Sequence, residues 1–255
     1  MCFDIDARPP IPPIAGGALD GALGTLTADD GTRFSIYRAK AAEPSGAGMI
    51  VLPDVRGLFP YYEELALRFA EHGVDAIAID YFGRTAGLGH RDGEFDYMPH
   101  VAQTTWAGLS ADIRAAATAL REDPVRVRSV FTVGFCFGGR TSFLASTLGL
   151  DLAGVVGFYG WPIGTSRNDS PAPADVADRI ACPVLGLFGG ADQGIPREAV
   201  EAFERALTAA GVEHRLVTYE SAPHSFFDRK QEEFAETSAA SWDETIGFVR
   251  AHTAG

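Results

Sequence analysis

Apolar positions along the chain fall into short unbroken runs separated by stretches with helical spacing. Gly48–Pro53, Asp75–Asp80, Ser129–Val133, Ala153–Phe158, Pro183–Phe188 and His214–Tyr219 are runs of strand length, bounded by turn residues. Strands of this kind are buried on both faces and belong to parallel sheets. Between them lie helical stripes: Tyr62, Leu65 and Phe69; Leu109, Ile113, Ala116 and Leu120; Trp242, Ile246 and Val249. Arg197–Ala210 has Pro196 before it and Gly211 after it, the expected start and stop of a helix. Thr32–Arg38 alternates and predicts an early antiparallel edge strand. The alternation predicts a single α/β domain, a mostly parallel sheet with helices on both faces, over residues 31–255. Residues 1–30, rich in Pro, Gly and Asp, are expected to run over the surface before the first hairpin.

Two connections exceed what a simple link needs. These are Gly83–Ala107 and Gly160–Ala181, and long ordered loops at strand ends commonly carry function.

Charge narrows the partners. A net charge of −13 over 255 residues opposes nucleic acid and anionic membranes, while leaving room for a small anionic substrate held by local arginines. Three scattered cysteines, Cys2, Cys136 and Cys182, lack metal-ligand spacing and form no disulfide framework. The N-terminus MCFDIDARPPIPP lacks a secretory pattern, and no apolar run reaches the roughly 20 residues of a spanning helix. A cytoplasmic protein is the expectation. Cys2 and Cys182 read as packing residues.

Cys136 does not. SVFTVGFCFGG is a strand, then Gly134-Phe135-Cys136-Phe137-Gly138, then a helix of small residues. This is the G-x-[nucleophile]-x-G elbow with sulfur in place of oxygen. The strained turn lifts the nucleophile above the sheet, and the helix N-terminus favours a thiolate and a developing oxyanion. In this fold the acid and then the histidine follow the nucleophile. Asp192, in GGADQGIP, follows the strand Pro183–Phe188; His224, in ESAPHSFFD, follows His214–Tyr219. His72, His214 and His252 occupy structural positions, and His90 and His100 lie in the first long loop.

GFCFGGR, GGADQGIP and APHSFFD, in this order, resemble the dienelactone hydrolase family, with similarity from about Met49 to the last helix. The resemblance implies hydrolysis of a lactone or ester through a cysteinyl acyl-enzyme, without metal or cofactor. Cys136 is then the nucleophile, His224 the base and later acid, and Asp192 its orienting partner. The resemblance further implies an oxyanion hole from the Phe137 and Val55 amides. Asp54 stands where the family carries a thiol-contacting glutamate. Arg84 matches the first of two carboxylate-binding arginines, and Arg229, one residue past the usual place, is the nearest match to the second. A broad carboxylesterase or thioesterase on the same triad is the alternative, and a non-catalytic homologue that binds a small molecule is the less favoured one.

Overall fold

The computed structural model describes residues 3–91, 94–123 and 125–255. In chain order the elements are β1 (Ala18–Thr27), β2 (Arg33–Ala41), β3 (Gly46–Leu52), α1 (Pro60–Glu71), β4 (Asp75–Ile79), α2 (Gly83–Ala86), α3 (Met98–Val101) and α4 (Trp106–Arg121). They continue with β5 (Val127–Phe135), α5 (Phe137–Ala145), β6 (Gly154–Phe158), β7 (Val184–Gly189), α6 (Arg197–Ala210), β8 (His214–Tyr219) and α7 (Ala235–His252). Short 3₁₀ turns at Pro173–Arg179 and Glu232–Phe234 precede β7 and α7.

All eight strands form one sheet in the order β1-β2-β4-β3-β5-β6-β7-β8. Every pairing from β4 to β8 is parallel, and β1 and β2 are antiparallel. The residues of β3, β4, β6 and β7 are all buried, as their unbroken apolar runs require when helices cover both faces. Helix boundaries follow the local signals. Pro60 opens α1, and Gly211, at φ 70°, closes α6 in the left-handed region.

The N-terminal expectation needs correction. Residues 1–30 are not a mere surface segment, because Ala18–Thr27 is the edge strand β1, paired along β2. The strand predicted at the edge, β2, is therefore second from it. Upstream of β1, Phe3, Ala7 and Ile11 are buried in the same hydrophobic core. Phe3 stacks on Tyr61 with ring centroids 4.2 Å apart, and its carbonyl accepts a hydrogen bond from Arg56.

Strand order reverses between β3 and β5, since β4 lies on one side of β3 and β5 on the other. Segments leaving the C-terminal ends of these two neighbours diverge, which opens a crevice above the sheet edge.

Candidate active site

Cys136 sits at the crevice, between the last residue of β5 and the first of α5. Its backbone has φ 55° and ψ −110°, a left-handed conformation costly for a residue with a Cβ. The turn is held from both sides. Cys136 N donates to Phe158 O at 3.0 Å, and Cys136 O accepts from Arg140 N at 3.2 Å. Glycine is required around it by close approach. A Cβ on Gly134 would lie 1.9 Å from Gly138 O, and one on Gly138 would lie 2.1 Å from Leu52 O. With those contacts open, α5 starts directly behind the sulfur and directs its N-terminal dipole there.

Asp192 and His224 arrive from the turns after β7 and β8. His224 Nδ1 donates to Asp192 Oδ2 at 2.6 Å. The other carboxylate oxygen accepts from the Gly194 and Ile195 amides at 2.8 and 3.2 Å. Burial alone would raise the Asp192 pKa, but these bonds, the one to His224 foremost, hold it below the ordinary value. Burial likewise pulls the imidazole down. Hydrogen bonds to Asp192 and to the Cys136 side chain outweigh it and raise His224 to about 9. A charged imidazolium beside a sulfur stabilises a thiolate. The three residues picked out in the sequence are therefore brought together.

These side chains open into a cleft of about 410 Å³. Val55 and Phe137, the two expected oxyanion donors, line it beside Cys136. Neither amide donates to a protein acceptor among the described residues, so both remain available to a developing negative charge. Tyr159, Trp161 and Ile195 supply apolar walls, and the Tyr159 ring lies 4.9 Å from that of His224.

Three other expected site residues are held by partners of their own. Asp54 is buried, but both of its carboxylate oxygens are taken by Arg56, at 3.1 Å through Nε and 2.7 Å through Nη2. An aspartate followed two residues later by an arginine closes a local ion pair. Arg84 does not line the cleft. Its guanidinium bridges Asp112, at 2.6 Å to both oxygens, and Asp30, at 2.8 and 3.0 Å. Asp112 is fully buried, and burial pushes its pKa up to about 6 even though Arg84 opposes the shift. Removing that cation would strand a carboxylate, so Arg84 is structural. Arg229 is exposed and absent from the cleft lining, with its amide donating to Arg8 O at 3.0 Å. Cys182 is buried, as its packing role predicts, while Cys2 lies outside the described residues.

The two long loops divide. Gly160–Ala181 supplies Trp161, Thr165, Ser166 and Arg167 to the cleft, whereas no residue of Gly83–Ala107 lines it. Sequence reasoning missed the residue that organises this wall. Arg140, in the first turns of α5, is 4% exposed. Its Nη1 donates to the Trp161 and Ile163 carbonyls at 3.1 and 3.2 Å. Its Nη2 donates to those of Gly164, Ser170 and Pro171 at 2.9, 3.4 and 2.9 Å. The signal was in GFCFGGR: an arginine on an otherwise small, apolar helix needs a buried set of acceptors.

Among the described residues, no three His, Cys, Asp or Glu side chains are gathered as a metal site. Nor is any helix there long and apolar enough to cross a membrane.

Residues 34–253 match the pattern of the "Dienelactone hydrolase family". A "Putative carboxymethylenebutenolidase" of Salmonella typhimurium is 30% identical over 244 residues, covering 91% of this chain and 89% of that protein. A "Carboxymethylenebutenolidase" of Rhodococcus opacus is 27% identical over 255 residues, covering 97% and 96%. Among solved structures, a "Putative Dienelactone Hydrolase" from Klebsiella pneumoniae superposes with a TM-score of 0.77 at 27% identity, covering 90% of this chain and 98% of that one. With an eight-stranded α/β sheet, an elbow at Cys136 and a match over 34–253, the chain belongs to the dienelactone hydrolase family.

Proposed function

We propose that the protein hydrolyses a lactone or carboxylic ester through a thioester on Cys136. The observation that carries this reading is the 2.6 Å contact of His224 with Asp192, made by an imidazole that also bonds the strained Cys136.

The thiolate of Cys136 attacks the carbonyl carbon, and the amides of Phe137 and Val55 receive the oxyanion. Collapse breaks the bond to the leaving oxygen, which takes a proton from the His224 imidazolium. In a lactone that oxygen stays tethered to the acyl group. Water then loses a proton to the neutral imidazole as it attacks the thioester, and the sulfur leaves as thiolate. Asp192 orients the imidazole and stabilises its charged form throughout. A raised imidazole pKa suits this chemistry, because a thiolate–imidazolium pair places the nucleophile in its reactive form before substrate arrives.

Tests of Cys136→Ala and Cys136→Ser on a panel of lactones and aryl esters address this directly. Loss of turnover in Cys136→Ala and a Cys136-linked acyl adduct by mass spectrometry are expected. Unchanged turnover would remove the mechanism. A broader carboxylesterase on the same triad is favoured by one observation: neither Arg84 nor Arg229, the expected carboxylate clamp, lines the cleft. Rates on a dienelactone against simple aryl esters separate the two readings. The mechanism and a water-accessible substrate are consistent with a small-molecule ester as partner and with action in the cytoplasm.

A further inference from the structure

Residues 3–8 lie outside the stretch that matches the family, 34–253, yet they are built into the end of the sheet that carries Cys136 and His224. Phe3 is buried, and besides its stack on Tyr61 it meets two further rings. Those of Phe135, the residue before Cys136, and of Tyr159 each lie 6.4 Å from it between centroids. The Tyr159 ring in turn packs against the imidazole of His224. One buried aromatic therefore touches a support of the nucleophile and a support of the base. Ring pairs at this separation fix relative orientation as well as burying area.

The same segment clasps the loop that follows His224. Arg229 N donates to Arg8 O at 3.0 Å, and the Asp228 carboxylate accepts from the amides of Lys230, at 3.0 Å, and of Arg8. Lys230 forms an ion pair with Asp6 and lies 3.9 Å from Asp4. Tyr61, the stacking partner of Phe3, donates from its hydroxyl to Phe227 O at 2.5 Å. Asp228 takes the place where the family resemblance expects an arginine, and here that place ties down residues 3–8. His224 and Gly194 line both the nucleophile cleft and a second cavity of about 650 Å³, and Phe3, Asp4 and Asp228 line only the second. Seen from the cleft, the segment stands behind the imidazole.

We infer that Phe3 is a positioning residue for His224, acting through Tyr159 to keep the imidazole turned towards Cys136. The bond from Nδ1 to Asp192 fixes one point of the ring, and rotation about that bond carries Nε2 away from the sulfur. A ring packed against the imidazole stops the rotation, and Phe3 keeps that ring from receding. A displacement of about 1 Å in a reacting group is enough to remove much of the rate. This rests on the ester-hydrolase reading above and adds a contributor to it from outside the stretch shared with the family.

The test compares wild type with Phe3→Ala, Phe3→Leu and Ile5→Ala, the last a control at an exposed position of the same segment. Turnover is measured on a panel of aryl esters well below each melting temperature. Alkylation of Cys136 by iodoacetamide is followed across pH by peptide mass spectrometry. Phe3→Ala should lower kcat by about tenfold and move KM by less than about twofold. Alkylation should slow by about fivefold at pH 7 and converge on the wild-type rate at alkaline pH, where the thiol ionises without an imidazolium. Phe3→Leu should recover part of both losses, and Ile5→Ala should show neither. Values for Phe3→Ala within about twofold of wild type in both assays overturn the inference. So does an equal loss in Ile5→Ala, or a change in alkylation that is the same at every pH, which marks altered access to the sulfur and not a displaced imidazole. Should Phe3→Ala fail to fold, Phe3→Leu is read by the same criteria. If wild type cleaves no ester of the panel while Phe3→Ala still slows alkylation at pH 7 alone, the hydrolase reading falls and the positioning of His224 stands.

Discussion

Arg56 holds Asp54 by both carboxylate oxygens, and the same guanidinium lies 4.1 Å over the Phe59 ring. The pair closes the turn after β3. Arg56 N also donates to Asp54 Oδ1 at 2.9 Å, and Gly57 N to Asp54 O at 3.2 Å. Val55 lies within that turn, so the ion pair shapes the segment that offers one of the two proposed oxyanion amides. Because Asp54 is 1% exposed, Arg56→Ala leaves a buried carboxylate without its cation. A loss of about 3 kcal/mol is expected. Thermal unfolding should shift down by several degrees, and ester turnover should fall more than KM rises. An unchanged melting temperature would show that the pair contributes nothing.

A second prediction follows from the imidazole. His224 is raised from 6.5 to about 9 in the folded protein, so its contribution to stability is complete below about pH 6.5 and is lost as pH rises towards 9. The full linkage is on the order of 3 kcal/mol. Asp192→Asn removes the main cause of the raised value. Urea unfolding of wild type and Asp192→Asn at pH 6 and pH 9.5 should show the gap between them narrowing at the higher pH. The alkaline limb of the activity profile should move to lower pH in the variant. A pH-independent gap would contradict the assignment.

Thiol reactivity gives a third. Cys136 is partly exposed beside an imidazolium, while burial pushes the Cys182 thiol up to about 12. Iodoacetamide near neutral pH should alkylate Cys136 well before Cys182 and abolish turnover in step, read by peptide mass spectrometry. Faster labelling of Cys182 would be incompatible with the buried, neutral thiol.

The fourth concerns Arg140. Burial without an acidic partner lowers its pKa to about 10, only slightly countered by Asp175, and its two terminal nitrogens donate to backbone oxygens instead. Arg140→Ala should cost about 2–4 kcal/mol, because several part-buried carbonyls lose their donor at once. Proteolysis within residues 164–171 should accelerate, and kcat/KM should fall for charged and uncharged esters alike. Arg140→Lys should rescue little, since an ammonium cannot span that set of acceptors. Unaltered proteolysis would separate the loop from Arg140.

What the sequence made legible has a physical pattern. Cys136 and Asp192 follow the buried strands β5 and β7, whose apolar runs announce themselves by composition, and His224 follows the part-exposed edge strand β8. The Asp192–His224 contact was readable from strand order, because adjacent parallel strands β7 and β8 deliver their turns side by side. Arg84 was misread because its partner Asp112 is 28 residues away on α4, and nothing local announces that pair. The partner of Asp54 went unread although it was close by: position in the motif took precedence over Arg56, two residues on. The edge strand β1 stayed hidden because most of its residues are exposed, so no buried face gave it a period. Phe3, Ala7 and Ile11 were hidden among prolines, where apolar residues pack without belonging to any regular element.

Arg140 grips the wall of the cleft through five main-chain carbonyls. Residues 165–167 can therefore be rewritten without disturbing the scaffold that presents them, provided the carbonyl positions on either side are kept. The loop behaves as an exchangeable cassette clipped to the helix that begins at the nucleophile. Lineages, or an engineer, could retune substrate preference there by small substitutions while the catalytic constellation stays untouched.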